Sequence, residues 1–134
     1  MNVLAPISVG ELIDKITILR IKQDRIRDDA GQANIRHELD QLLQLRSRAE
    51  LDTGPVARLE ELLFEINHQL WQLEDDLRES ERTGDFGGRF VEMARRVYQL
   101  NDRRAALKKE INAVTGSDIV EEKFHPPYGT LLPG

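Results

Sequence analysis

Two long stretches of this chain repeat one seven-residue spacing of apolar positions, on either side of a polar, glycine-rich break at residues 83–88. In the first stretch the apolar residues alternate spacings of three and four: Val56, Leu59, Leu63, Ile66, Leu70, Leu73 and Leu77. The second stretch keeps the alternation with one interruption: Phe90, Met93, Val97, Leu100, Leu107, Ile111 and Val114. Because this spacing places apolar side chains along one side of a helix, it predicts a long antiparallel helical hairpin.

The interruption in the second stretch is Arg104, which stands where the alternation requires an apolar residue. A guanidinium on an otherwise apolar seam needs an acidic or hydrogen-bonding partner, because an unpaired buried charge is costly. We therefore expect Arg104 either to fix the register of the helices or to mark a binding site.

Two shorter helices precede the hairpin. Ser8 and Glu11 form a capping box, in which the Ser8 hydroxyl bonds the Glu11 backbone and the Glu11 carboxylate reaches back. The apolar face that follows consists of Leu12, Ile13, Ile16, Leu19 and Ile26. The second helix is predicted from about Asn34, its N-cap, to Leu51. The third helix is predicted to end near Arg82, and the fourth to run from Gly88 to Thr115.

The pattern as a whole predicts an all-α protein, an elongated helical bundle built on the long antiparallel hairpin. Residues 1–116 are expected to form one helical domain. Residues 117–134 are expected to form an extended C-terminal tail, because the last nine residues contain three prolines and two glycines. Since the first two helices are too short to cover both arms, we expect an uncovered apolar end and a homodimer.

Composition narrows the class of protein. The net charge is -5, with 32% charged residues and a pI of about 5.2, which gives no reason to expect a nucleic-acid partner. The absence of cysteine excludes disulfides and thiolate metal sites. No apolar run approaches the ~18 residues of a membrane span, and no signal sequence is recognisable. We therefore expect a cytoplasmic protein.

Polar residues near the seam fall into three stripes at helical spacing. The fourth helix carries Asn101, Arg104, Lys108 and Asn112; the third carries Trp71, Glu74, Asp75 and Arg78; the first carries Glu11, Asp14 and Lys15. One interpretation is a salt-bridge network that fixes register. Another is a small-anion or nucleotide-sugar site, in which Arg104 and Lys108 hold the anion beside the start of the first helix. A third is that these are solvated helix faces.

An enzymatic alternative is less well supported. Acidic runs at residues 60–65 and 74–76 resemble the Mg²⁺-binding carboxylates of all-α nucleotide pyrophosphohydrolases, but a second set at matching spacing is missing. Glu65 and His68 form a single Glu-x-x-His motif, whereas di-iron bundles use two. The sequence therefore assigns no catalytic residue, metal ligand or cofactor, and an enzyme is the less favoured reading.

Three segments resemble a family of short bacterial and phage proteins of uncharacterised function, about 130 residues long. They are residues 6–19 (PISVGELIDKITIL), 70–78 (LWQLEDDLR) and 97–105 (VYQLNDRRA). Residues 28–58 and the last ten are the least diagnostic. The motif positions that the resemblance selects are Asp14, Lys15, Trp71, Glu74, Asp75, Arg78, Asn101 and Arg104.

The resemblance implies a bacterial or phage protein that is complete at this length. It carries no established activity, but it suggests a glycosyltransferase as a partner, since genes for such enzymes lie near those of the relatives. Together with the uncovered hairpin, this favours a non-enzymatic helical interaction protein.

Overall fold

The computed structural model of the protein describes residues 1–128 and contains four helices. They are α1 (Val9–Arg25), α2 (Asp29–Arg48), α3 (Gly54–Thr83) and α4 (Gly88–Thr115). No residue of 1–128 lies in a β-strand, which confirms the all-α prediction. The expected tail starts after α4 without helix or strand, and its last part, 129–134, falls outside the described residues.

Local sequence explains where the hairpin helices begin and end. The Thr53 hydroxyl accepts a hydrogen bond from the backbone N–H of Val56 at 3.4 Å, and a proline stands in the first turn of α3, where its missing N–H is harmless. Gly84 and Gly116 follow α3 and α4 with φ of 73° and 65°, a conformation that glycine adopts without strain. The two long helices therefore have the bounds that the sequence predicted to within two residues.

The predicted N-cap of α2 was wrong by six residues. The N-cap is Asp28, whose carboxylate accepts a hydrogen bond from the backbone N–H of Gly31 at 2.7 Å, and not Asn34. A side-chain carboxylate that satisfies a free N–H of the first turn outweighs the low helix propensity of a glycine within that turn. The loop between α1 and α2 is correspondingly shorter than expected.

The hairpin seam packs as the heptad spacing requires. Leu63, Ile66, Met93, Leu100 and Ile111 are all buried between α3 and its neighbours. The last predicted seam residue, Val114, is instead 55% exposed, so the buried seam of α4 ends at Ile111.

Helix α1 is the centre of the bundle. Its backbone approaches α2, α3 and α4, whereas the backbone of α2 comes close only to α1. The main core lies where α1 meets the others and contains Leu12, Ile13, Ile16, Leu19, Ile35, Leu39, Val56, Leu63 and Ile111. Helix α1 therefore contacts every other helix of the bundle.

The direction of α1 follows from its contacts. The Gly10 N–H donates a hydrogen bond to Asn112 near the end of α4, whereas Arg25 lies 3.5 Å from Asp75 in the last third of α3. Helix α1 thus runs parallel to α3 and antiparallel to α4, and it stops where α3 has eight residues still to run, about 12 Å at 1.5 Å per residue.

Residues 76–96, which we call the hairpin end, extend past the C-terminus of α1. The side chains of Phe86 and Val91 are 54% and 42% exposed there. Phe86 also packs edge to face on Phe90, with ring centroids 5.3 Å apart. The short helices leave this end uncovered, as their lengths predict.

After Gly116 the chain turns back along α4. Lys123 lies 3.2 Å from Asp102, and the rings of Tyr128 and Tyr98 are 6.3 Å apart. Because each step along this segment meets an earlier residue of α4, the described part of the tail runs antiparallel to that helix.

The seam predicts a sharp contrast between two neighbouring leucines. Leu63 has no exposed surface and Leu62 is 47% exposed, so Leu63→Ala should lower the free energy of unfolding by about 2–5 kcal/mol through cavity formation. Leu62→Ala should change it by less than about 0.5 kcal/mol. Urea denaturation followed by circular dichroism measures both, and equal losses would contradict the assigned register.

Candidate functional site

A buried carboxylate joins three helices. Asp14 of α1 is only 1% exposed, and its Oδ1 accepts hydrogen bonds from Arg104 Nε of α4 at 2.9 Å and from Asn67 Nδ2 of α3 at 2.8 Å. Arg104 Nη2 donates to the other carboxylate oxygen, so the guanidinium binds in the bidentate manner. The Asn67 amide also donates to the Thr17 hydroxyl at 2.9 Å, and that hydroxyl donates to the Asp14 carbonyl.

The hydrogen bonds that Arg104 donates to the Asp14 carboxylate raise the pKa of Arg104 above its ordinary value, and burial opposes this effect. A raised pKa stabilises the fold at every pH below the ordinary value, and this stabilisation is lost only as the pH rises through the folded value. Since an arginine side chain is already protonated throughout the physiological pH range, the Arg104 cation is present under ordinary conditions.

A second group of polar contacts fixes the start of α1. The Asn112 carboxamide oxygen accepts a hydrogen bond from Gly10 N–H at 2.7 Å, and the Ser117 hydroxyl accepts one from Val9 N–H at 3.1 Å. The Ser8 hydroxyl accepts from Glu11 N–H at 3.0 Å and donates to the Glu121 carboxylate. The free N–H groups of this helix start are thus occupied by the protein's own side chains.

One half of the expected capping box is replaced by an ion pair. The Ser8 half is present, but the Glu11 carboxylate lies 2.6 Å from Lys108 Nζ of α4. Lys108 is also 3.6 Å from Glu121. A charge-assisted contact to a cation is stronger than a bond to a neutral backbone N–H, which accounts for the different partner of Glu11.

The structure divides the ten residues that the sequence selected as site candidates. Asp14 and Arg104 pair with each other, and Lys108 and Asn112 hold the start of α1. Lys15 points outward, and its ammonium reaches only to 3.9 Å from Glu11. The remaining five, together with Arg104, line a common cleft: Trp71, Glu74, Asp75, Arg78 and Asn101.

This cleft, which we call the Trp71 cleft, lies between α1, α3 and α4 and has a volume of about 610 Å³. Its lining residues are Ile18, Ile21, Asn67, Leu70, Trp71, Glu74, Asp75, Arg78, Val97, Asn101 and Arg104. Glu74 lies 3.8 Å from Arg78, and Asp75 lies 3.5 Å from Arg25. The three polar stripes therefore do not form one cluster. Lys108 and Asn112 hold the start of α1, whereas Trp71, Glu74 and Asn101 line the open cleft.

Sequence reasoning missed two residues of the buried network. Asn67 and Thr17 are 5% and 0% exposed, and both bind around Asp14. Thr17 stands three residues after Asp14, on the same helix face, so its position was a usable signal. Asn67 sits next to a seam residue, and only the approach of α1 turns it inward.

A further ion-pair group in residues 1–128 lies where α2 meets α3. Arg46 of α2 pairs there with Glu60 at 2.6 Å and with Asp52 at 3.0 Å. Within residues 1–128, no group of three or more His, Cys, Asp and Glu side chains has a geometry that could hold a metal ion. In the same part of the chain, none of the helices has the length and apolarity needed to cross a membrane.

The buried pair predicts a large and specific loss of stability. Arg104→Met leaves the Asp14 carboxylate buried without a cation and should lower the free energy of unfolding by about 3–5 kcal/mol. Arg103→Met, at an exposed neighbouring position, is the matched control and should stay within about 0.5 kcal/mol. Urea denaturation tests both variants.

A double-mutant cycle measures the energetic coupling between Asp14 and Arg104. In the double variant Asp14→Asn/Arg104→Met the carboxylate charge is also gone, so the loss should be smaller than the sum of the two single losses. Strict additivity would show that Arg104 does not stabilise the fold through Asp14.

The close approach of the α1 and α4 backbones at Gly10 predicts that a larger residue there destabilises the protein. A Cβ added at Gly10 would lie 2.5 Å from the Lys108 carbonyl oxygen, whereas one at Gly54 would meet no atom within 4 Å. Gly10→Ala should therefore destabilise the protein by about 1–3 kcal/mol through overpacking, although alanine favours helices. Gly54→Ala should be neutral or stabilising. The melting temperatures of both variants are compared with that of the wild type. A Gly10→Ala variant as stable as the wild type would contradict the close contact.

Neither the curated proteins nor the solved structures contain a match to this chain. A family model does match, over residues 2–133, which is nearly the whole sequence and includes all ten candidate residues. The chain therefore belongs to the family described as "Family of unknown function (DUF6165)".

Proposed function

We propose that this protein is a non-enzymatic helical interaction protein that acts through the hairpin end, and that its partner there is a second copy of the same chain. The observation that carries the proposal is the length of α3 and α4 beyond α1, which leaves apolar side chains without a neighbouring helix. Exposed apolar surface on a long helix pair is a common basis for association.

The apolar contact surface would centre on the loop of the hairpin. Phe86, in the loop, is 54% exposed although it packs on Phe90. Val91, in the first turn of α4, is 42% exposed. Aromatic residues contribute more binding energy than other types at protein interfaces. Two hairpin ends that meet would remove these three side chains from water.

Charge supports a second copy as the occupant. The chain has a net charge of -5, so two copies repel each other overall. The hairpin end, residues 76–96, contains five acidic and five basic residues and therefore has no net charge. Because both signs alternate along the two helices, a two-fold related copy can place acidic side chains opposite basic ones.

The nucleotide-sugar or small-anion alternative has weaker support. It requires Arg104, Lys108 and the start of α1 to be available to an anion. Arg104 is bound to Asp14, Lys108 to Glu11, and the N–H of Gly10 to Asn112. An anion would have to displace these internal acceptors, one of which is a buried carboxylate.

An Mg²⁺-dependent pyrophosphohydrolase activity is less favoured again. Such enzymes need carboxylates from two helices to converge on one metal, and the α3 carboxylates Glu60 and Asp75 each face an arginine. A pyrophosphatase assay with Mg²⁺ tests this alternative directly.

Sedimentation equilibrium tests the proposed self-association. We expect the wild type to form dimers at high micromolar concentration. Phe86→Glu should raise the dimer dissociation constant at least about tenfold, which corresponds to about 1.4 kcal/mol, because it places a charge in the apolar contact. A wild type that stays monomeric at these concentrations would contradict the proposal. It would do so even if the hairpin end bound a different protein, such as a glycosyltransferase.

Val114→Glu is the matched control for this experiment. Val114 lies at the far end of α4 and is 55% exposed, almost the same as Phe86 at 54%. The control adds the same charge to the same helix pair, so it should leave the dimer dissociation constant within about twofold of the wild type, a difference worth only about 0.4 kcal/mol. Equal weakening by both variants would place the interface elsewhere.

A further inference from the structure

We propose that the Trp71 cleft binds a small, uncharged, hydroxyl-rich ligand, a single sugar unit, with one face of the ring against Trp71. The cleft is bordered by three helices, and its volume of about 610 Å³ lies within the range of small-molecule sites, roughly 300–1,000 Å³. This inference goes beyond the proposed interaction function and does not depend on dimer formation.

The inner part of the cleft supplies an apolar platform. Ile18 and Ile21 of α1, Leu70 of α3 and Val97 of α4 surround the half-buried Trp71. A sugar ring exposes C–H groups on its faces, and indole offers the largest aromatic surface on which they can pack. The platform therefore suits a ring that is apolar on its face and polar at its edge.

The charges around the cleft favour an uncharged ligand. Arg104 is bound to Asp14, Arg78 lies 3.8 Å from Glu74, and Arg25 lies 3.5 Å from Asp75. Each cation near the cleft thus faces a carboxylate. Because each of these cations has an acidic neighbour, the cleft carries no excess of positive charge that would attract a phosphate.

Hydrogen-bonding capacity remains at the polar edge. Among the hydrogen bonds of residues 1–128, none uses the Asn101 amide or the Trp71 indole N–H, although both line the cleft. Arg104 binds Asp14 through Nε and Nη2, which leaves the N–H groups of Nη1.

Hydrogen-bond acceptors also border the Trp71 cleft. The side chains of Glu74 and Asp75 are 56% and 52% exposed, so their carboxylate oxygens can accept further hydrogen bonds. A sugar hydroxyl both donates and accepts, and it can therefore bind a carboxylate and an amide or guanidinium at the same time. Donors and acceptors on α3 and α4 face a common space, which a compact polyol can bridge.

Trp71 is the only tryptophan of the chain, so its fluorescence reports directly on the cleft. The experiment titrates the full-length protein with glucose, galactose, mannose and N-acetylglucosamine, and in parallel with inorganic phosphate and uridine diphosphate. We expect a saturable change in emission with at least one sugar, with a dissociation constant on the order of 1 mM, as is usual for a ligand of about a dozen heavy atoms. Phosphate should cause no saturable change.

Three variants locate the site. Asn101→Ala and Glu74→Gln should each raise the dissociation constant about tenfold while the melting temperature stays near that of the wild type, because both residues are partly or fully exposed. Glu79→Gln removes a carboxylate from the same helix, outside the cleft, and should bind as the wild type does.

Several outcomes would overturn the inference. One is the absence of a saturable response to every sugar in both fluorescence and ligand-observed NMR. Another is a response to phosphate or uridine diphosphate alone, which would identify an anion site. A third is unchanged sugar binding by both Asn101→Ala and Glu74→Gln.

Discussion

The Asp14 carboxylate is the point at which three of the four helices meet. It accepts hydrogen bonds from Arg104 of α4 and Asn67 of α3 while it belongs to α1, and it is almost fully buried. A buried charge tolerates little displacement, because any loss of a partner leaves it desolvated and unpaired. This constraint limits the rotation of α1 and its distance from the hairpin, and the apolar core packs in the arrangement that these contacts allow.

The start of α1 extends the same constraint towards the C-terminus. Gly10 allows the backbones of α1 and α4 to approach, Asn112 binds the Gly10 N–H, and Lys108 pairs with Glu11. Ser117 and Glu121 add contacts from the segment after α4. Polar residues that resemble an anion site in the sequence are therefore largely occupied in holding α1, and the surfaces left for partners or ligands lie further along the hairpin.

Two such surfaces follow from the limited length of α1. Beyond Arg25 the hairpin continues without a neighbouring helix, which leaves Phe86 and Val91 exposed on a segment with no net charge. Beside the C-terminal half of α1, the three helices leave the cleft that contains Trp71. The first surface is the proposed contact with a second copy of the chain, and the second is the proposed site for a small polar molecule, so their tests are independent.

The four helices, the hairpin and most of the buried seam could be predicted from the sequence, because helix caps and heptad spacing are local properties that each segment carries with it. It also selected Arg104 as a residue that required a partner. The partner of Arg104, the inward orientation of Asn67 and the division of the polar residues follow from the packing of the helices: Trp71, Glu74 and Asn101 border the Trp71 cleft, whereas Lys108 and Asn112 do not. These assignments depend on how α1 is rotated and positioned against α3 and α4, and contacts between residues 50 to 100 positions apart leave no periodic signal in the chain.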